Sequence, residues 1–489
     1  MVRDFFVFVL DTLLTIKMLF MLVIFATTVT FLIIPVILLF MKWRFSYRRK
    51  KDLATRTTTR VGLFHPYCNA GGGGEKVLWV ALQSMKEKYP DAEYYIYTGD
   101  AEATPTEIID KVNKNLNVKL DMKNIHFVYL TRRVWIEAQM YPYFTLLGQS
   151  LGSIYLGYEA LCQLHPDIFI DTTGFAFTLP LFKYLGECRT GCYVHYPTIT
   201  TDMLKRVANR RAMYNNRNII ARSPFLTTGK LFYYRIFAWL YSFAGQCSDI
   251  STVNSTFTME HLTDLWNRPL HLVYPPCDVD HLVLMTRDNP RPKTIKILSL
   301  SQFRPEKDHA MQLQALYELR EIIPDDLFEH ITLVLAGSCR NDDDSNRVRD
   351  LRDLSKHLSL ENNVEFKINI PYDQLLEELR TAHIGIHTMV DEHFGIGVVE
   401  LMAAGLITVA NRSGGPLLDI IETSEASRLG FLATTAEEYA HTLKFILYLS
   451  EEELDEIRTR AKASVDRFST RKFKEDFLRA VEPLFKSEY

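Results

Sequence analysis

The chain has 489 residues, with 56 Lys+Arg against 59 Asp+Glu, a net charge of -3 and 47% hydrophobic residues. So large an apolar fraction builds a sizeable core and excludes a disordered or collagen-like chain, while the near-neutral balance offers no overall field for nucleic acid. Length sets a prior of about three domain-sized units. The seven cysteines are odd in number and scattered, which fits free thiols in a reducing compartment better than a disulfide framework. Cys188 and Cys192 lie closest together, and no second Cys/His pair stands at zinc-ligand spacing, so no structural metal site is expected.

Residues 1–59 read as a unit of their own, a membrane anchor with a basic flank. From Met18 to Met41 the chain carries no charge for 24 residues, or about 36 Å as a helix, enough to cross a hydrocarbon core with some tilt. The run is too long and starts too late for a cleaved signal peptide, and no small-residue cleavage site precedes the basic block. That block comprises Lys42, Arg44, Arg48, Arg49, Lys50, Lys51, Arg56 and Arg60, opposed only by Asp52. The preceding flank offers just Arg3 and Lys17 with Asp4 and Asp11. By the positive-inside rule, everything after residue 41 faces the cytosol. The same block suits anionic lipid headgroups as well as it suits a plain stop-transfer flank.

From residue 60 onward, short runs rich in β-branched residues alternate with amphipathic stretches, the pattern of parallel sheets covered by helices. Strands are expected at Val61–Phe64, Tyr94–Thr98, Asp167–Asp171, Gly191–His195 and Ile250–Val253. A second series comprises Ile295–Leu300, Ile331–Ala336, Val364–Phe366, Ile384–His387 and Ile407–Ala410. Between the series, Tyr274-Pro275-Pro276 and the polar stretch Thr286–Thr294, with Pro290 and Pro292, break any regular element. The boundary between a first domain, 60–285, and a second, 286–470, falls there. Residues 225–247 are strongly apolar and aromatic but interrupted by Lys230 and Arg235. They read equally as an in-plane membrane contact and as a partly buried helix of the first domain.

After the first cytosolic strand comes HPYCNAGGGGEKVLWVAL, in which Gly71–Gly74 open a helix with apolar residues at helical spacing. Glycines let backbone N–H groups approach a ligand at the positive end of the helix dipole. The loop is no P-loop, because Lys76 follows Glu75 rather than Gly and Val77 replaces Ser/Thr, and G-x-G-x-x-G fails at position 76. The second half holds a similar loop, with Gly395, Ile396 and Gly397 at a helix start. Glu392 precedes it in the loop, and Glu400 follows one turn into the helix. Carboxylates beside an anion cradle suit sugar and ribose hydroxyls, and the charge of a diphosphate then calls for cations. Arg304 and Lys307, after the first strand of this half, supply them.

Together these residues resemble a known family. E-H-F-G-I-G-V-V-E, an E-x7-E motif from Glu392 to Glu400, preceded by R-P-E-K and by the N-terminal glycine loop, looks like the GT-B glycosyltransferases of the retaining, nucleotide-sugar-dependent family four. The resemblance covers roughly residues 60–485. HPYCNAGGGGEKVLW, VHYPTITTDML, FRPEKDHAMQL and EHFGIGVVELMAAG are most similar to its eukaryotic α-1,2-mannosyltransferase branch. Enzymes of that branch use GDP-mannose to add the fourth and fifth mannoses to a dolichol-diphosphate-linked oligosaccharide.

The resemblance implies an α/β fold of two Rossmann-like domains facing a cleft, the first binding acceptor and the second donor. A last helix, about Arg471–Phe485 within 471–489, would cross back onto the first domain. By carry-over onto matching positions, Arg304 and Lys307 would neutralise the departing GDP diphosphate, Glu392 would bind donor-sugar hydroxyls and Glu400 would hold the ribose. The amides of Gly395, Ile396 and Gly397 would support phosphate and hexose, and Gly72, Gly73 and Gly74 would close over the diphosphate from the other domain. His195, in VHYPTI, matches a family position near the anomeric centre. Members commonly carry an Arg five residues before the Lys, where this chain has Gln302. The phosphate-binding cation is therefore left between Arg304 and Lys307, with Lys307 favoured. The resemblance also implies the endoplasmic reticulum membrane, with the catalytic domains on its cytosolic face, and other mannosyltransferases of the same pathway as candidate partners. GDP-mannose would be a substrate, and no cofactor or metal is expected.

Two other readings carry less: a GT-B isomerase such as a nucleotide-sugar 2-epimerase, and a membrane scaffold with a vestigial site. The D-x-D patterns at Asp342–Asp344 and Asp278-Val279-Asp280 are of a kind that holds manganese in another glycosyltransferase fold, but three residues recur by chance.

Overall fold

In the computed structural model, which describes residues 2–199, 224–286 and 294–486, the chain beyond residue 60 forms two parallel sheets. The first runs through β1 (Arg60–Phe64), β2 (Glu93–Thr98), β3 (Ile125–Tyr129), β4 (Ile168–Asp171), β5 (Arg189–Val194), β6 (Ile250–Val253) and β7 (His271–Leu272), in the order β3-β2-β1-β4-β5-β6-β7. The second comprises β8 (Ile295–Leu300), β9 (Ile331–Gly337), β10 (Val364–Ile368), β11 (Ile384–His387), β12 (Ile407–Asn411) and β13 (Phe431–Ala433), in the order β10-β9-β8-β11-β12-β13. Central strands such as Ile168–Asp171 and Ile384–His387 are buried along their whole length, so both faces need covering helices. The Gly73–Lys88 helix does this on one face of the first sheet with Val77, Leu78, Ala81, Leu82 and Met85. On the other face, Phe169 stacks on Phe182 with ring centroids 3.6 Å apart, beside Tyr241 and Trp266.

Each sheet reverses its strand order once, between β1 and β4 and between β8 and β11. Ligand crevices form at such reversals, outside the carboxyl ends of the strands. This is the GT-B arrangement of two α/β lobes.

The helix Thr470–Phe485 buries Phe473, Phe477, Val481 and Leu484 in the core of the first lobe. Phe485 stacks on Tyr89 at 3.9 Å, and Lys474 pairs with Glu87 at 2.8 Å. The chain therefore passes between the lobes twice, and the two passages meet where Cys277 bridges Ser469. Residues 287–293, inside the expected linker, lie outside the described residues, as do residues 200–204 at the end of VHYPTITTDML.

A single helix, Val2–Leu53, contains the uncharged run. The side chains of residues 2–13, 16, 19, 23, 24 and 26–31 in it are outside the described set, and among the described residues no helix is long and apolar enough to cross a membrane. Its C-terminal end is docked on the first lobe. Phe45 is buried against Tyr158 and His165, and Arg49 donates to the carbonyl of Gly186 at 2.9 Å. Just beyond the helix, Arg56 bridges Asp52 and Asp167 at 2.6 Å. Burial pushes the Asp167 carboxyl up, but the hydrogen bonds from Arg56 and the Arg60 amide, with the charges of Arg56 and Arg49, together outweigh it and hold the group below its usual range. The Pro224–Gln246 helix is buried on one side through Phe237, Tyr241 and Ala244 and exposes Phe232, Trp239 and Phe243 on the other.

Three strands differ from expectation by being present at all. β3, at the sheet edge, has one buried position followed by one exposed and three half-buried ones, β7 is two residues long and β13 three, so none presents a long apolar run. β5 ends at Val194 rather than His195, which leaves the histidine just beyond the ladder.

Candidate active site

The first crevice is built on the end of β1. Gly71 takes φ +83, a left-handed conformation open to glycine at little cost, and Gly73 and Gly74 begin the helix. The amide of Gly72 donates to Glu75 Oε2 at 2.5 Å, while Glu75 Oε1 lies 3.6 Å from His65 Nε2. His65 Nδ1 is 2.8 Å from the hydroxyl of Thr172, so the ends of β1 and β4 and the glycine loop are tied together. His195 lies beneath that loop, and a Cβ added at Gly74 would stand 3.7 Å from its Nε2. Nε2 is 3.0 Å from the carbonyl oxygen of Thr172. A carbonyl only accepts, so Nε2 carries the proton and Nδ1 is the ring's acceptor. Burial lowers the imidazole to about 4, which keeps it neutral at physiological pH.

The second crevice sits at the β8/β11 reversal. Lys307 ends a short turn after β8, and its carbonyl lies 2.9 Å from the hydroxyl of Thr388, which follows β11. The Lys307 ammonium pairs with Glu392 Oε2, which also accepts from His387 Nε2 at 3.0 Å. Burial would raise the Glu392 carboxyl, but His387 and Lys307 outweigh it and hold the group well below the usual carboxylate range. Gly395, at φ +111, turns the chain into the Ile396–Ala403 helix. The amides of Ile396 and Gly397 in its first turn lack intrahelical partners. The helix start presses on the end of β8, where a Cβ at Gly397 would come within 2.9 Å of the Leu300 carbonyl oxygen.

The two crevices face each other. A Cβ on Gly73 would lie 2.8 Å from Ile396 Cδ1, so the glycine loops of the two lobes are in contact. Lys76, one turn into the first helix, reaches Asp278 at 2.6 Å and opposes Glu400 electrostatically. Burial pushes the Glu400 carboxyl up to about 7, against the Lys76 ammonium and with the help of Asp278. Tyr196 stacks on His393 at 3.9 Å, and Asp419 of the second lobe accepts from the amide of Thr256 at 3.0 Å and the hydroxyl of Tyr274 at 3.0 Å.

Lys307, Glu392 and the Gly395–Gly397 turn therefore share one crevice, opposite Gly72–Gly74 and His195. Glu400 lies in the same cleft, near Lys76. Arg304 does not touch Glu392. It lies 3.8 Å from Glu306, and burial and Arg340 lower its pKa. Of the D-x-D residues, Asp278 pairs with Lys76 at 2.6 Å and Asp344 with Arg340 at 3.0 Å.

Comparison with known proteins fits this geometry. Residues 58–266 match the family model described as ALG11 mannosyltransferase N-terminus, and residues 285–465 match Glycosyl transferases group 1. A Homo sapiens protein named GDP-Man:Man(3)GlcNAc(2)-PP-Dol alpha-1,2-mannosyltransferase is 48% identical over 446 residues, 90% of each chain. The Caenorhabditis elegans protein of that name is 40% identical over 435 residues, 87% of this chain and 92% of its own. The chain belongs to this mannosyltransferase family. In fold it also resembles Anabaena Alr3699/HepE in complex with UDP and glucose (TM-score 0.59, 16% identity, covering 87% of this chain and 99% of that one). The OtsA apo structure is similar too (TM-score 0.62, 13% identity, covering 88% and 100%).

Several residues of this mannosyltransferase-family site escaped the sequence. Glu75 and Lys76 registered only as departures from a P-loop, although Glu75 three residues after Gly72 is the spacing of a capping box. His387 was the last residue of an expected strand, and His65 and Asp419 carried no local signal.

The Gly397 contact yields a test. Gly397→Ala drives a methyl group against the Leu300 carbonyl and displaces the helix start, and sub-ångström to 1 Å errors of this kind cost about 100-fold in rate. Sugar transfer should fall by about that factor with an unchanged circular dichroism spectrum. Full activity would mean that this turn does not touch the donor.

Proposed function

We propose that this chain transfers mannose from GDP-mannose, with retention and in α-1,2 linkage, to a dolichol-diphosphate-linked oligosaccharide, adding its fourth and fifth mannoses. The observation that carries the reading is 48% identity over 90% of the chain to a protein of that name. The geometry supplies the means. The diphosphate rests on the Ile396 and Gly397 amides and on the Lys307 ammonium, Glu392 accepts from mannose hydroxyls and Glu400 from the ribose. The acceptor hydroxyl attacks the anomeric carbon on the face from which the diphosphate departs. A leaving phosphate oxygen takes the hydroxyl proton, and the electron pair of the broken C–O bond stays on the diphosphate. Cation and helix dipole meet the charge that develops there, so catalysis is positional and electrostatic. Glu392, tied to Lys307 and His387, serves as a hydroxyl acceptor rather than a covalent nucleophile. Positive charge at the leaving group comes from side chain and amides, and no metal is called for. A nucleotide-sugar 2-epimerase is not favoured by these relatives.

Detergent-solubilised protein given GDP-mannose and the dolichol-linked core oligosaccharide should lengthen it by two α-1,2-mannoses. Lys307→Ala should reduce this by at least about 100-fold without unfolding the chain. Folded wild-type protein that extends no acceptor of this type overturns the proposal.

We further propose that the uncharged run of the Val2–Leu53 helix spans the endoplasmic reticulum membrane, with both lobes in the cytosol. The basic residues that follow it support this reading, as do the exposed Phe232, Trp239 and Phe243 of the first lobe. In sealed microsomes, external protease should digest the lobes and spare only the N-terminal run. Protection of the lobes would contradict that topology.

Glu400 gives a pH signature. In the free chain its carboxyl is raised to about 7, and ribose hydroxyls donate more strongly to its ionised form. Below that pH the free carboxyl holds a proton that donor binding must expel, so affinity falls on acidification by up to about tenfold per unit. Calorimetry near about pH 6.5 in buffers of different ionisation enthalpy should register proton release, lost in Glu400→Gln. Proton uptake, or release that persists in the variant, would remove Glu400 from the nucleotide.

A further inference from the structure

Glu392 faces two demands. In the free chain its Oε2 holds the Lys307 ammonium, and a bound donor draws that ammonium toward its diphosphate. A buried carboxylate deserted by its cation is strongly disfavoured, and it protonates or swings away unless another group holds it. Among the described residues, the other side chain hydrogen-bonded to this carboxylate is His387, whose Nε2 donates to the same oxygen at 3.0 Å. His387 ends β11 and is only 3% exposed, and its carbonyl accepts from the buried Tyr439 hydroxyl at 2.8 Å. The backbone of Glu392 is equally fixed, since its carbonyl accepts from the Gly415 amide at 2.7 Å and Gly414 packs against it. Both anchors are rigid, so the N–H of His387 sets where the Glu392 carboxylate points.

We infer that His387 is a positioning residue for sugar transfer: it keeps Glu392 aimed at the donor mannose while Lys307 turns to the diphosphate. The inference rests on the mannosyltransferase reading above and assigns His387 no contact with substrate. It separates the two ends of the donor. Loss of the histidine should harm what depends on mannose and spare what depends on the diphosphate, whereas a merely structural histidine would affect both alike.

Three variants of the full-length protein test this, each assayed for mannose transfer and for inhibition by GDP, which lacks the sugar. His387→Leu removes the donor, and charge-assisted hydrogen bonds of this kind are worth about 10- to 100-fold. Its kcat/KM for GDP-mannose should fall by that factor, with the GDP inhibition constant within about twofold of wild type. His387→Gln, whose amide N–H reaches the place of Nε2, should recover most of the rate, and His387→Asn, whose amide falls short, should not. If the leucine variant does not fold, the glutamine and asparagine variants decide. Wild-type rates in His387→Leu, equal rates in the glutamine and asparagine variants, or GDP affinity that falls in step with transfer would each overturn the positioning role. A wild-type protein that transfers no mannose overturns the proposed function itself, and this role with it.

Discussion

The site depends on one contact, between Gly73 of the first lobe and Ile396 of the second. A parallel sheet with a single strand-order reversal offers one crevice at its carboxyl edge, floored by amides at a helix start. One such crevice holds an anion but leaves it open to water. Here two such crevices touch, and they can because Gly73 carries no side chain where Ile396 of the other lobe approaches. The Thr470–Phe485 helix, buried in the first lobe although it follows the second, holds the lobes in that relation. The Asp419 contacts to Thr256 and Tyr274 close the same joint.

Charges in the cleft are balanced in pairs. Lys307 and Lys76 are each neutralised by a carboxylate, Glu392 and Asp278 respectively, and Glu400 lies close enough to both members of the second pair to be pulled in opposite directions. These pairs compensate the charge of ammonium and carboxylate groups at the cleft. His195 stands apart from them, since burial keeps it neutral and the Thr172 carbonyl fixes its tautomer.

Much of the architecture was legible because strands buried on both faces read as short runs rich in apolar and β-branched residues, as at Ile168–Asp171 and Ile407–Asn411. Edge strands gave no such run, and β3, with His126 exposed at its second position, was passed over. In the site, Lys307, Glu392 and the glycine turn stood out through a local motif whose spacing is set by one loop and one helix. The contacts that complete the cleft are non-local. Thr256 and Asp419 are 163 positions apart, and Lys76 meets an aspartate that the sequence offered only as half of a D-x-D pattern. His387 belonged to a recognised strand, but nothing in a strand's alternation says that its last side chain will meet a carboxylate five residues on.

The most direct measurement is a structure of the full chain with GDP bound. Joint binding by the two lobes places the diphosphate within hydrogen-bonding reach of Lys307 and of the Ile396 and Gly397 amides, with the ribose on Glu400 and Gly73 and Gly74 folded over the phosphates. A nucleotide seated on one lobe alone, out of reach of Lys307 and Glu400, would contradict it.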